Sequence, residues 1–250
     1  MSAEVKILIE GETNANEVGE TGEEKTRPTI TLIRDDGFVI VVDPGILKSQ
    51  QTLVDALEKE NLTVNDVNIV CITHSHIDHY RNVGMFPNAK VLEYFGLWKK
   101  ESVEDWHQNF SENIQILRTP GHDYTCITLF VKTSDGIVAV CGDVFWKENY
   151  PAEDRFASDS KKLEESRKTV LKMADWIIPG HGPMYKAKKN QEKSVNVVKN
   201  KDLKNVLKCK KCKKVMGKKE ACLCRPTICY RCCECDLDCE LCYCSHKKNT

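Results

Sequence analysis

Apolar and polar residues along this chain fall into short strand-like runs separated by a few helical patterns. Residues 5–9 read as a strand, followed at 10–25 by an acidic, glycine-containing loop. Two apolar runs at 29–34 and 38–42 flank Asp35-Asp36-Gly37, which predicts a hairpin. A helix is predicted over 50–60. The run at 67–73 reads as a buried strand, and the runs at 113–117, 137–141 and 175–178 repeat that pattern. Residues 160–174 read as a helix with Leu163, Val170, Leu171 and Ala174 on its inner face. Strands first and last, with helices between and behind them, predict an α/β fold of two sheets sandwiched between helices.

Each of the four later strands runs into a polar phrase. The first leads to His74-Ser75-His76-Ile77-Asp78-His79 and the second to Pro120-Gly121-His122. The third leads to Gly142-Asp143 and the fourth to Pro179-Gly180-His181-Gly182. These phrases hold five of the chain's seven histidines and, with Asp78 and Asp143, offer seven nitrogen and oxygen ligands. Neutral imidazole and carboxylate are the ligands of catalytic zinc, which keeps a position open for water. Two ions about 3.5–4 Å apart can share a bridging carboxylate and a bridging hydroxide, which is a hydrolytic arrangement. Four ligands within the six residues 74–79 predict a loop there rather than a regular helix. A single Gly-His pair would read as a turn beside a solvated histidine, but four phrases at four strand ends read as one convergent site. His107 has no such company and is expected at the surface.

The phrases resemble those of the metallo-β-lactamase fold of binuclear hydrolases, over roughly residues 27–187. The resemblance implies an αββα sandwich. It also implies that His74, His76 and His122 hold a first Zn2+, that Asp78, His79 and His181 hold a second, and that Asp143 bridges them; iron or manganese would suit the same donors. It extends to Val42-Asp43-Pro44-Gly45, where the family carries a buried aspartate bracing the ligand loop; a simple turn before the helix is compatible with that role. The phrases around His79, Asp143, Glu165-Ser166-Arg167-Lys168 and His181 are similar to one branch of the family. That branch implies an endoribonuclease of the histone pre-mRNA 3′-end type, cutting RNA by attack of a metal-bridging hydroxide. The alternatives are a glyoxalase II-like thioester or ester hydrolase, and a metal-handling or interaction protein on the same scaffold. Arg81 stands where the family usually has glycine, and its guanidinium could meet an anionic substrate or point to solvent. Only 37 residues separate Asp143 from His181, leaving no room for the cap domain of the better-known nucleases on this fold.

Composition changes the picture at the carboxyl end. The 250 residues have a formal net charge of +0, yet residues 186–219 hold 14 lysines against 2 acids. That run is either a solvated spacer or helix, or a phosphate-binding arm whose binding would weaken steeply with salt. Eleven of the 14 cysteines follow at Cys209, Cys212, Cys222, Cys224, Cys229, Cys232, Cys233, Cys235, Cys239, Cys242 and Cys244, joined by His246. The start of the chain has no signal-peptide pattern, so a cytoplasmic or nuclear location is expected. In such a reducing compartment clustered cysteines favour zinc over disulfides. With few apolar residues, the segment would depend on metal for its folding energy. The division expected is a catalytic domain at 1–187, a lysine-rich linker or helix at 188–208, and a cysteine-rich module at 209–246. That module could bind RNA or a protein partner, store metal, or sense redox state. Cys71, Cys126 and Cys141 are expected as small buried residues within strands. With no stretch of about 18 apolar residues, no membrane span is expected.

Overall fold

The computed structural model describes residues 2–15, 22–148 and 153–188, together with the short paired strands Leu207–Lys208 and Val215–Met216. By internal contacts the chain divides into two units, Met1–Asn190 and Gln191–Thr250. The cysteines of the tail, His246 and most of the lysine run lie outside the described residues.

The first unit carries a seven-stranded sheet: β1 (Glu4–Ile9), β4 (Ile30–Asp35), β5 (Phe38–Val42), β6 (Ile69–Cys71), β7 (Lys90–Glu93), β8 (Gly96–Lys99) and β9 (Ser102–Glu104), in that spatial order. Of its neighbouring pairs, β5–β6 and β6–β7 are parallel. A five-stranded sheet runs β10 (Ile114–Arg118), β11 (Ile127–Thr133), β12 (Gly136–Val140), β13 (Trp176–Ile178) and β14 (Tyr185–Lys186). Here β12 and β13 are parallel, and two antiparallel steps through β11 make β10 run with them. The ends of β10, β12 and β13 therefore share one rim.

Period-2 side-chain alternation assigns the faces. Ile33, Ile40, Val42, Ile69 and Cys71 pack with Ile116, Leu129, Val131, Val138, Val140 and Ile178 between the sheets. The opposite faces carry Leu32, Val41 and Val70 under α1 (Gln51–Glu58), which contributes Leu53 and Leu57. On the other side Phe130, Ala139, Cys141 and Ile177 lie under α3 (Ser160–Met173), which contributes Leu163 and Val170. Strands buried on both faces explain the nearly continuous apolar runs at 38–42 and 137–141. The result is the expected αββα sandwich. Each fully buried Ile or Leu contributes about 1.5–3 kcal/mol relative to exposure. Cys71, Cys126 and Cys141 are buried in it, and burial pushes each thiol's pKa up. No helix among the described residues is long and apolar enough to cross a membrane.

The hairpin between β4 and β5 closes on Asp36 (φ 42°) and Gly37 (φ 83°), the positive pair that a two-residue type I′ turn requires. The inner face of α3 differs in detail: Ser166 and Arg167 are buried beside Leu163 and Val170, whereas Leu171 is half-buried. The acidic loop also holds more order than expected, because β2 (Glu12–Thr13) pairs with β3 (Thr26–Arg27). Two polar residues in each strand carry no periodic signal.

Candidate metal centre

The phrase at 74–79 is not a loop throughout. Residues 73–75 bend, His76 is extended, and α2 (Ile77–Tyr80) then makes a single helical turn, closed by His79 N–H donating to the His76 carbonyl at 3.0 Å. The ligand pattern explains the switch. Adjacent residues on a strand point to opposite faces, whereas on a helical turn they diverge by only about 100°. The turn lets Asp78 and His79 address one centre. A 3-10 turn at Gly142–Val144 presents Asp143 in the same region.

All seven expected residues converge. His74, His76, His122 and Asp143 form one group whose candidate ligand atoms lie within 4.8 Å of one another, and Asp78, His79 and His181 form a second. In the first, His76 Nδ1 lies 3.1 Å from His74 Nε2 and 3.0 Å from His122 Nε2. Asp143 Oδ2 is 3.3 Å from His122 Nε2 and 4.0 Å from His74 Nε2. In the second, Asp143 Oδ1 is 3.4 Å from His79 Nε2 and 3.2 Å from His181 Nε2, and Asp78 Oδ2 is 3.7 Å from both. Tetrahedral zinc with bonds of about 2.0–2.1 Å places its ligands about 3.3 Å apart, so these spacings suit it. Asp143 thus lies between the groups, with Oδ1 toward His79 and Oδ2 toward His122, while His181 Nε2 is near both oxygens at 3.2 and 3.3 Å.

The buried polar atoms give an independent test of fit. His79 Nε2 and Asp143 Oδ1 are buried with no hydrogen-bond partner, and their mutual approach lacks hydrogen-bond geometry. Such orphans are costly in a dry interior, and a cation between them would satisfy both. The donor set therefore fits a metal pair.

A surrounding shell aims each imidazole. Asp43, buried and at φ 50°, accepts from the Thr73 backbone N–H at 2.8 Å and the Thr73 hydroxyl at 2.6 Å. It also accepts from His79 Nδ1 at 2.8 Å, which leaves Nε2 free as a ligand. Thr73 has spent its proton on Asp43, so it accepts from His74 Nδ1 at 3.1 Å. His181 Nδ1 donates to the Arg27 carbonyl at 2.9 Å, and Thr26 donates to Asp78 Oδ2 at 3.0 Å. His122 Nδ1 meets Asp154 Oδ2 at 2.6 Å. From α3, Ser166 donates to the Pro120 carbonyl at 2.7 Å and Arg167 Nε to the Val144 carbonyl at 2.9 Å, tying the helix to two ligand loops. Thr26, Arg27, Asp154 and the carbonyl contacts of α3 were not read from the sequence, where nothing in their spacing marks them.

Electrostatics separate the two groups. Burial pushes the pKa of His74 well down and that of His76 down, with neighbouring histidines adding to the effect. Burial also opposes charge on His79 and His181, but Asp143 outweighs it in each, with Asp43 helping at His79, and both are pushed up. Burial resists ionisation of Asp143, yet His181, His79 and His122 hold it well below the usual carboxylate range.

Half-buried His76 and Asp78 mark the open side of the site. Arg81, at the end of α2, is exposed, as is His107. Ile77 and Tyr124 beside the ligands are 52% and 62% exposed. Close packing is tightest at Gly180, where an added Cβ would lie 1.7 Å from Asp143 Oδ1. Gly180→Ala is expected to push Asp143 off its position between the two groups and lower metal affinity about 10–100-fold, the range for disturbed ligand support. Equilibrium dialysis against a chelator measures it, and native metal retention would refute the constraint.

These features define a metal-dependent hydrolase. A model of the metallo-beta-lactamase superfamily matches residues 26–103. Metallo-beta-lactamase domain-containing protein 1 of Xenopus laevis is 32% identical over 182 residues, covering 69% of this chain and 78% of that protein. A Thermotoga maritima structure of the metallo-beta-lactamase class superposes with a TM-score of 0.61 at 21% identity, covering 74% of this chain and 100% of that one. AidC, a dizinc quorum-quenching lactonase, has a TM-score of 0.51 at 15% identity, covering 68% and 77%. The chain belongs to the metallo-beta-lactamase superfamily.

Proposed function

We propose that the protein is a binuclear zinc hydrolase that cuts RNA phosphodiesters as an endoribonuclease of the histone pre-mRNA 3′-end type, with a cysteine-rich tail that takes further zinc. The observation carrying the two-metal part is Asp143, whose carboxylate lies between the groups, with Oδ2 toward His122, Oδ1 toward His79 and both oxygens near His181. His74, His76 and His122 would hold the first ion, Asp78, His79 and His181 the second. Two bound ions supply Lewis acidity and lower the pKa of water to near neutrality.

The chain's own residues do the rest. Asp78, fixed by the Thr26 hydroxyl and partly exposed on the open side, would orient the attacking water as well as ligate. Asp43 holds His79 in one tautomer throughout. Arg81 lies two residues past His79 and is exposed, suited to a phosphodiester. The 14 lysines of residues 186–219 suit the same polyanion. A second reading, a thioester or ester hydrolase, draws on exposed Ile77 and Tyr124, which could receive an acyl chain.

A panel of single-stranded RNAs and acyl-thioesters, with His76→Ala as the blank, separates these readings. RNA cleavage that disappears in the blank and weakens with salt is expected, whereas thioester turnover alone would replace the first reading with the second. Metal analysis of the full chain is expected to give more than two zinc ions per chain, and about two once the tail cysteines are serine. Equal content in both refutes a zinc role for Cys209 to Cys244 and His246.

A further inference from the structure

The contact that ligand chemistry leaves unassigned is the one behind His122. Asp154 lies 32 residues from His122 in sequence, yet its side chain is fully buried (0% exposed) with Oδ2 2.6 Å from His122 Nδ1. The opposite nitrogen, Nε2, is the one that faces His76 and Asp143. A side chain able only to accept at Nδ1 leaves the Nε2 lone pair directed into the first ligand group.

The segment around Asp154 is built to hold that contact. The other carboxylate oxygen, Oδ1, accepts from Phe156 N–H at 2.9 Å, which fixes the carboxylate plane. Ser158 N–H donates to the His122 carbonyl at 3.0 Å and Asp159 N–H to the Gly121 carbonyl at 2.9 Å, so the segment is zipped to the His122 loop. Phe156 stacks on Trp146 with centroids 5.6 Å apart, and Trp146 in turn meets His122 edge-on at 6.0 Å. Outside, Arg155 pairs with Glu24 at 3.1 Å.

We infer that Asp154 is a positioning residue for the first metal, holding His122 by a carboxylate–imidazole hydrogen bond, as Asp43 does for His79 in the second group. This rests on the metal-centre reading above. Its loss acts on one ion of the two, because the Asp154 carboxylate bonds His122 of the first group and the Phe156 N–H beside it.

Cobalt titration of the full chain against a competing chelator tests it. The d–d absorption of cobalt bound by nitrogen and oxygen is read apart from the thiolate charge-transfer band of cobalt taken by cysteine. Asp154→Asn, which keeps an acceptor, is expected to lower the affinity of one of the two nitrogen–oxygen ions about 10-fold, and Asp154→Ala about 100-fold. The second ion should bind as in the native chain. Arg155→Ala, which breaks only the outer ion pair, should leave both affinities unchanged. Native affinity in both Asp154 variants overturns the assignment, as does an equal loss of both ions or an equal effect of Arg155→Ala. If Asp154→Ala does not fold, Asp154→Asn alone decides, with native affinity refuting the role. A native chain that takes no cobalt at nitrogen–oxygen ligands overturns the metal centre itself, a result distinct from unchanged variants.

Discussion

Alanine at His76 or Asp143 is expected to abolish turnover while the fold survives. His76 Nδ1 sits at the meeting point of the first group, 3.1 and 3.0 Å from two other imidazole nitrogens. Among the described residues Asp143 is the one that addresses both groups. Metal-ion stabilisation of developing charge supplies several kcal/mol, so losing it should reduce kcat/KM by about a thousandfold or more. Neither side chain belongs to the apolar layers between the sheets or under the helices. Far-UV circular dichroism should therefore match the native protein, while activity assays read the loss. Full activity in either variant would sink the two-metal assignment.

Asp43→Ala should produce the largest loss of stability. Asp43 is 2% exposed and satisfies three donors: the Thr73 N–H, the Thr73 hydroxyl and His79 Nδ1. Removing the acceptor strands them in a dry interior, a change that costs about 3–5 kcal/mol when a buried charged partner is lost. The φ of 50° adds about 1 kcal/mol for a residue with a Cβ and no compensating local bond. For a domain of this size the midpoint of thermal unfolding should fall on the order of 10 °C, measured on metal-stripped protein. Asp43→Asn should lie between, since asparagine tolerates this backbone and keeps one acceptor. An unchanged midpoint for Asp43→Ala would show that the brace is dispensable to the fold.

The strands that carry ligands were legible because burial on both faces leaves continuous apolar runs ending abruptly in polar phrases. That signal located β6, β10, β12 and β13 to within a residue or two and placed Cys71, Cys126 and Cys141 indoors. It did not reveal β7, β8 or β9, which are short, partly exposed and mixed in composition. The helical turn α2 was missed because four residues are too few to show a period. Ser166 and Arg167 were not among the inner-face residues read for α3; they are buried because each finds a loop carbonyl.

By itself the sequence determined the donors, their order and their chemistry: five imidazoles and two carboxylates, each set after a buried strand, admit a hydrolytic metal site and little else. The division into two groups, the place of Asp143 between them and the brace at Asp43 were implied by the family resemblance; tertiary structure supplied the distances that accord with them and, by itself, the supports at Thr26, Arg27 and Asp154. Thr26, Arg27, Asp43 and Asp154 reach their histidines across 155, 154, 36 and 32 residues of chain. Ligand identity is a local property of residue type and strand end, and so is written in short phrases. Ligand aim is set by hydrogen bonds that exist only once distant loops have been brought to the same rim.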